Sequence, residues 1–458
     1  MGDLVAELAA VVGEDNVVTG EAVHDDYSHD ESLTATPSAP RAVVRPGSTG
    51  QVAAVVELAN EWGIRLVARG SGTGLSGASV PTAEAVLVSF ERMNAVLEID
   101  TDNHVAVVQP GVTLEDLDRA TSEKGLVYPV FPGEMSASLG GNVATNAGGM
   151  RAIKYGVTRN QVLGLEAVLG SGEVIRTGGK FVKSSTGYDL TQLIVGSEGT
   201  LALVTEATLR LHPRPAHAST VLVPFATLEE VTAAVPPIVS SGAGPLILEY
   251  VDMLTMAAIT ANVGLDLGIP AETKQSAAAY LVVVLESTRE DRLEEDVAAL
   301  GELLSGLGAL DVYVLPAGAA GQLIAAREKA FFVAKAAGAD DIVDVVVPRA
   351  AMPAFLAAAA EVAARHEALV VGCGHVGDGN VHLSVFQPDA ARRAEVLRTL
   401  FRRGMDLGGA ISGEHGIGTE KRRYFAELED PTKLALMRRI KSAFDPNAIL
   451  GPGVLFDR

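Results

Sequence analysis

Two stretches of this 458-residue chain carry residues whose types and spacing can do chemistry. The first is Gly374-His375-Val376-Gly377-Asp378-Gly379-Asn380-Val381-His382. Gly377-Asp378-Gly379-Asn380 is turn chemistry between two apolar runs, so a hairpin or tight connection is expected. His375 and His382 lie just outside that turn and can be brought together. The second stretch, Gly413-Glu414-His415-Gly416-Ile417-Gly418, sets a carboxylate beside an imidazole. Two imidazoles and a carboxylate are a common ligand set for Zn²⁺ and related divalent ions. Neighbouring side chains in an extended loop point opposite ways, so Glu414 and His415 can face different partners, one a metal and one a substrate. His415 is the better general base, since an unperturbed imidazole titrates near ~6.5. Taken singly, a histidine is more often a hydrogen-bonded structural residue. Three of the nine histidines in two Gly-flanked loops argue for more than that.

Three further blocks are rich in glycine and small polar residues. Arg69-Gly70-Ser71-Gly72-Thr73-Gly74-Leu75-Ser76-Gly77 follows an expected strand directly. Without a Cβ in the way, backbone amides there can converge on a diphosphate, although a plain Gly-rich turn accounts for the loop equally well. The second block runs from Phe131 to Gly149 and the third from Ser184 to Thr205, with Gly196-Ser197-Glu198-Gly199-Thr200 at its centre. In this order and spacing the three blocks resemble the FAD domain of the vanillyl-alcohol-oxidase superfamily, the PCMH-type domain, over about residues 36–215. The resemblance implies that Arg69, Gly70, Ser71, Gly72, Thr73, Gly74 and Gly77 hold the pyrophosphate. Pro132, Gly133, Ser138, Gly141, Asn142, Thr145, Asn146 and Gly148 would line the isoalloxazine and phosphates. Glu198, Gly199 and Val204 would meet ribose and adenine. Some relatives attach FAD covalently through a histidine near the first loop; this loop has none, so a non-covalent FAD is expected.

On a chain with those blocks, GHVGDGNVH, GEHGIG and DPNAILGPG (445–453) resemble the group of D-lactate dehydrogenase, the glycolate oxidase flavin subunit and D-2-hydroxyglutarate dehydrogenase. That resemblance assigns His375, His382 and Glu414 to a divalent metal, Zn²⁺ first with Mn²⁺ or Fe²⁺ behind it, and His415 to the base. REKAFFVAK resembles an Arg-containing segment of the group's cap, which makes Arg327 the carboxylate clamp and Lys335 a second candidate. A guanidinium fork matches a carboxylate with two parallel hydrogen bonds. The bland alternative for Arg327 is an ion pair with Glu328 or another acid.

The implied reaction is metal-assisted oxidation of a small D-2-hydroxy acid to the 2-oxo acid, with hydride passing to the flavin. The hydroxyglutarate enzymes carry a Lys where this chain has Ala339-Asp340-Asp341-Ile342-Val343-Asp344. That departure favours D-lactate or glycolate. A D-2-hydroxyglutarate-type dehydrogenase, or the flavin subunit of a multi-subunit glycolate oxidase-like complex, is the alternative. Two further rivals are an electron-transfer subunit without its own substrate site and an NADPH-using sugar-nucleotide reductase of the same fold. The flavin would be reoxidised by a quinone, a cytochrome, a flavoprotein or oxygen.

The elements that must position these residues follow from the rest of the chain. With 48% hydrophobic and 20% charged residues it is an ordinary globular protein, long enough for two domains. A net charge of −21 argues against nucleic acid and anionic membrane surfaces. One cysteine, Cys373, fits a reducing compartment. An acidic N-terminus and the lack of any run of ~20 apolar residues point to a cytoplasmic protein, peripheral to a membrane only through its electron acceptor. Candidate helices are 51–62, 114–124, 226–240, 289–306, 319–337, 350–365 and 388–407. Candidate strands in the second half are 279–285, 310–315, 342–347, 368–373 and 381–386. Their alternation fits a parallel doubly wound sheet and an antiparallel α+β cap equally well. The resemblance selects an α+β fold, a two-subdomain FAD domain with an α+β cap built on an antiparallel sheet. The expected division is an N-terminal segment (1–35), the FAD domain (36–215), the cap (216–420) and a C-terminal segment (421–458) returning to the FAD domain.

Overall fold

A computed structural model describes residues 3–457. Contacts divide the chain into two units. The first comprises residues 1–147, 157–214 and 414–458, and the second residues 148–156 and 215–413.

In the first unit, Leu66–Arg69 runs parallel to Val86–Ser89, which also pairs in parallel with Ala42–Val44. The helix Thr49–Trp62 makes the connection. Its start is fixed by the Ser48 hydroxyl, which accepts from the Gln51 N–H, and its end by Gly63 in the left-handed region. Val52, Val55, Val56 and Ala59 recur at helical spacing, and all are buried. A separate five-stranded antiparallel sheet holds Val96–Asp100, Val105–Val108, Ala202–Arg210, Val162–Leu169 and Val174–Gly178, in that spatial order. The expected cap at Thr113 is present: its hydroxyl accepts from the Asp116 N–H at 3.1 Å, opening the helix Leu114–Ser122. The C-terminal segment returns to this unit, where the Leu66 N–H donates to Ile449 O (2.7 Å) and the Gly451 N–H to Leu66 O (3.0 Å). The last residues therefore brace the strand that leads into the first glycine loop.

The second unit is built on one seven-stranded sheet. Its strands are β1 (His217–Phe225), β2 (Ile247–Asp252), β3 (Ala279–Ser287), β4 (Tyr313–Leu315), β5 (Asp341–Val346), β6 (Leu369–His375) and β7 (Asn380–Phe386). The spatial order is β4-β1-β3-β2-β6-β7-β5, and every pairing is antiparallel. The parallel alternative is thereby excluded. Helices Leu228–Ser240, Glu290–Gly306, Met352–Arg365 and Ala390–Asp406 join or follow these strands. The helix expected over 319–337 is two pieces, Ala317–Glu328 and Ala330–Ala336, because Lys329 leaves helical geometry (φ −84°, ψ 2°). Residues 414–420, expected with the cap, group with the first unit, where Ser76 and Glu198 bind their backbone. Among the described residues no helix is long and apolar enough to cross a membrane.

Candidate active site

In the second unit the sheet register does most of the positioning. β6 and β7 form the hairpin anticipated from Gly377-Asp378-Gly379, with His375 opposite Asn380 and Cys373 opposite His382. His375 lies two residues beyond Cys373, so both imidazoles project from the same face as diagonal neighbours. Their ring centroids are 4.8 Å apart and nearly perpendicular. Each histidine has an acid on an adjacent strand. On β5, Asp344 pairs directly with His382, and its carboxylate lies 3.5 Å from His382 Nδ1. On β2, Tyr250 pairs with Gly374, which sets Glu249 beside His375. The Glu249 carboxylate takes a hydrogen bond from His375 Nδ1 at 2.5 Å. Metal-binding histidines commonly present one nitrogen this way while the other is held by a carboxylate.

Arg327 lies in the last turn of the Ala317–Glu328 helix and is buried, unlike Lys335, which is exposed. Its guanidinium is 2.6 Å from the other oxygen of Glu249. An acid partner of the kind foreseen as the bland alternative is thus present in Glu249, across the fold. Burial pushes the Glu249 carboxyl up, but the charges of His375 and Arg327 outweigh it and hold the group below the ordinary carboxylate range. Glu249 is wholly buried. Nothing in the sequence reading singled it out; the one available signal is a charged residue inside the apolar run Leu246–Val251.

Asp344 is also wholly buried and carries a second burden. It accepts from the Asn380 amide (3.0 Å), the Ser412 hydroxyl (2.6 Å) and the Gly413 N–H (3.1 Å). The end of the second unit is thereby fastened to the strand beside His382. Asp340 is occupied as well, accepting from the Gln387 N–H at 2.8 Å.

Glu414 and His415 open the returning part of the first unit. Their loop has no regular strand partner and is held by side chains. The Ser76 hydroxyl, at the end of the first glycine loop, bonds to His415 O (2.8 Å) and Gly416 O (3.0 Å). The Glu198 carboxylate, in the third block, accepts from Ile417 N–H (2.9 Å) and Gly418 N–H (2.8 Å). Burial raises the Glu198 pKa in spite of those two donors. Gly416 has φ +82°, and a Cβ there would fall 2.9 Å from the Glu198 carboxyl group, so glycine is needed on both counts.

The glycine blocks are stitched to one another. The Ser138 N–H donates to Ser71 Oγ (3.0 Å), and Ser138 Oγ accepts from Ser71 N–H (3.3 Å) and Gly141 N–H (3.4 Å). A Cβ on Gly70 would lie 2.0 Å from Ser138 Oγ, so the first loop passes this close only as glycine. Gly72, Gly77, Gly133 and Gly199 all have positive φ, between 71° and 89°. Ser138 caps the short helix Leu139–Thr145, which Asn146 ends in the left-handed region. Asn142 is buried within that helix, and Thr145 Oγ1 bonds to Gly141 O at 3.2 Å. A surface lined by backbone and small polar groups fits a diphosphate and a flat ring. The Arg69 guanidinium lies against the first loop, where a Cβ on Gly72 would come within 2.1 Å of it, and donates to His29 O at 2.6 Å. Gly148 begins the short segment grouped with the second unit, and Val204 lies in the strand Ala202–Arg210.

Comparison with known proteins finds two family models along the chain. Residues 40–178 match the FAD binding domain model, and residues 214–455 match the model for FAD linked oxidases, C-terminal domain. An uncharacterized FAD-linked oxidoreductase of Mycobacterium tuberculosis (strain H37Rv) is 56% identical, covering 100% of this chain and 99% of that one. A D-lactate dehydrogenase of Anaerostipes hadrus is 36% identical over 95% of this chain and 94% of its own. Among solved structures, p-cresol methylhydroxylase with substrate bound superposes with a TM-score of 0.79 at 20% identity, covering 99% of this chain and 96% of that one. At that identity the likeness shows the fold.

Proposed function

The chain belongs to the FAD-linked oxidase family, and on that premise we propose that it oxidises a small D-2-hydroxy acid, D-lactate or glycolate, to the 2-oxo acid with a divalent metal assisting. The observation that carries this reading is the adjacent pair His375–His382, each ring with a buried carboxylate at its Nδ1. Such a pair fits an oriented donor set better than two isolated structural histidines. In this proposal His375, His382 and Glu414 hold the ion, Zn²⁺ first, with Mn²⁺ or Fe²⁺ behind it. Glu414 follows Gly413, whose N–H is tied to Asp344 beside His382; that attachment supports its inclusion.

When bound, FAD supplies the two-electron acceptor, and the metal supplies Lewis acidity toward a hydroxyl oxygen. The residues of the chain do the rest. Arg327 orients the substrate through its carboxylate. His415 takes the hydroxyl proton on its imidazole as hydride leaves Cα, so the substrate loses one proton and one hydride and becomes a 2-oxo acid. Ser76 holds the His415 carbonyl, and Glu198 holds the Ile417 and Gly418 amides just beyond it, while this happens. The electron acceptor that completes the cycle is a quinone, a cytochrome, a flavoprotein or oxygen.

The strand carrying Asp344 contains no cation to meet a second substrate carboxylate, and Asp344 itself is committed to hydrogen bonds with Asn380 and Ser412. This favours a monocarboxylate over 2-hydroxyglutarate. Anaerobic mixing of the yellow holoenzyme with D- and L-lactate, glycolate and D-2-hydroxyglutarate, followed by flavin bleaching, tests the proposal. Fast bleaching by D-lactate or glycolate is expected. Bleaching by D-2-hydroxyglutarate alone, or by none, would overturn the substrate assignment.

A further inference from the structure

Glu249 lies between two residues with assigned roles and has none of its own. Its carboxylate is wholly buried, with one oxygen on His375 Nδ1 at 2.5 Å and the other 2.6 Å from the Arg327 guanidinium. A carboxylate removed from water is costly unless it is paired, and here both oxygens have cationic or hydrogen-bond-donating neighbours. The geometry has a chemical consequence for each neighbour. A proton held on His375 Nδ1 by a carboxylate leaves the lone pair on Nε2, the tautomer a metal requires, and makes that nitrogen a stronger donor. An Arg anchored by one edge of its fork keeps a fixed orientation for a second anion.

We infer that Glu249 is a positioning residue that locks the metal ligand His375 and the carboxylate-binding Arg327 into one rigid arrangement. The inference rests on the metal-assisted reading above and deepens it: binding of the cation and of the substrate carboxylate share a single buried support. Three strands and one helix meet at this group. β2 supplies the acid, β6 the imidazole, β7 the second imidazole, and the Ala317–Glu328 helix the guanidinium.

The test uses the FAD-bound protein, stripped of metal by a chelator and titrated with Zn²⁺ against a chromophoric competitor. Wild type, Glu249→Gln, Glu249→Ala, His375→Ala and the double variant Glu249→Ala/His375→Ala are compared. Loss of a carboxylate that orients a ligand costs about 10–100-fold in metal affinity. Glu249→Ala is expected near the top of that range. Glu249→Gln, which keeps the shape and one acceptor but not the charge, is expected to lose about tenfold. The double variant should bind Zn²⁺ no worse than His375→Ala, because the acid acts through that imidazole. At saturating Zn²⁺, Glu249→Gln should also raise the apparent dissociation constant for D-lactate more than it lowers the limiting rate of flavin reduction. FAD content and a cooperative melt establish that each variant is folded; if the Ala variant is not, the Gln variant decides. Wild-type Zn²⁺ affinity in folded Glu249→Gln overturns the inference, as does additivity in the double variant. Failure of wild type itself to bind Zn²⁺ overturns the metal reading, and the inference with it.

Discussion

His375 and His382 stand on paired strands, where register alone fixes their separation and their common face. Glu414 and His415 stand in a stretch without strand pairing, where the Ser76 hydroxyl and the Glu198 carboxylate hold the backbone from outside. The same kind of chemistry is thus mounted in two ways. On the sheet, each imidazole has a buried carboxylate at its Nδ1. In the loop, placement depends on a few hydrogen bonds to two of the glycine-rich blocks. Variants on the sheet side should therefore cost mainly ligand affinity, whereas variants at His415 and at the contacts that mount its loop should cost mainly rate.

The largest effect should come from His415→Asn, which keeps much of the shape but cannot take a proton near neutral pH. Stopped-flow reduction of the flavin should fall ~10²–10⁴-fold in limiting rate, with the apparent dissociation constant for substrate little changed. A wild-type limiting rate would place the base elsewhere. Glu198→Gln probes the mounting itself. Gln offers one acceptor oxygen where Ile417 and Gly418 present two N–H groups, so one donor loses its partner. A loop displaced by even a fraction of an ångström should lower the reduction rate roughly 10–100-fold, with a smaller loss of Zn²⁺ affinity through Glu414. If Zn²⁺ affinity fell and the rate held, the two regions would have been assigned the wrong way round.

How much of this is legible in the sequence depends on how local the signal is. The turn residues Gly377, Asp378 and Gly379 announce the hairpin, and with it the meeting of His375 and His382, because eight residues contain all the information. The glycine loops declare themselves for the same reason. Glu249 does not, since its partner His375 lies 126 positions away and no local pattern links them. The sheet direction is equally hidden: alternation of strand and helix fits parallel and antiparallel pairing alike, and only register decides. Glu198 stands in a block expected to face ribose and adenine, and its bonds to Ile417 and Gly418 N–H, more than two hundred residues on, are hidden in the same way. Arg69 lies in a cofactor loop by motif, and its bond to His29 O is a contact that no spacing reveals.

The smallest effect concerns the segment Arg69 faces. Burial pushes the Asp30 carboxyl from 3.8 up to about 6, so the folded state holds its proton longer than the unfolded chain does. Between those values rising pH deprotonates mainly the unfolded state, and stability falls as pH climbs through that window. Asp30→Asn removes that slope. From pH 4 to 6.5 the wild type should therefore lose about 2 kcal/mol of stability relative to the variant, read as a pH-dependent change in the gap between their melting midpoints. A gap that stays constant with pH would mean Asp30 is ionised in the folded protein at ordinary carboxylate pH.

The most direct test of the whole account joins the two regions in one experiment. Holoenzyme stripped of metal but retaining FAD is mixed anaerobically with D-lactate while Zn²⁺ is added back in steps. The account predicts slow flavin reduction without metal and recovery of the rate up to one equivalent of Zn²⁺ per chain, with His375→Ala failing to recover at that ratio. Stripped enzyme that reduces its flavin at the full rate would contradict it.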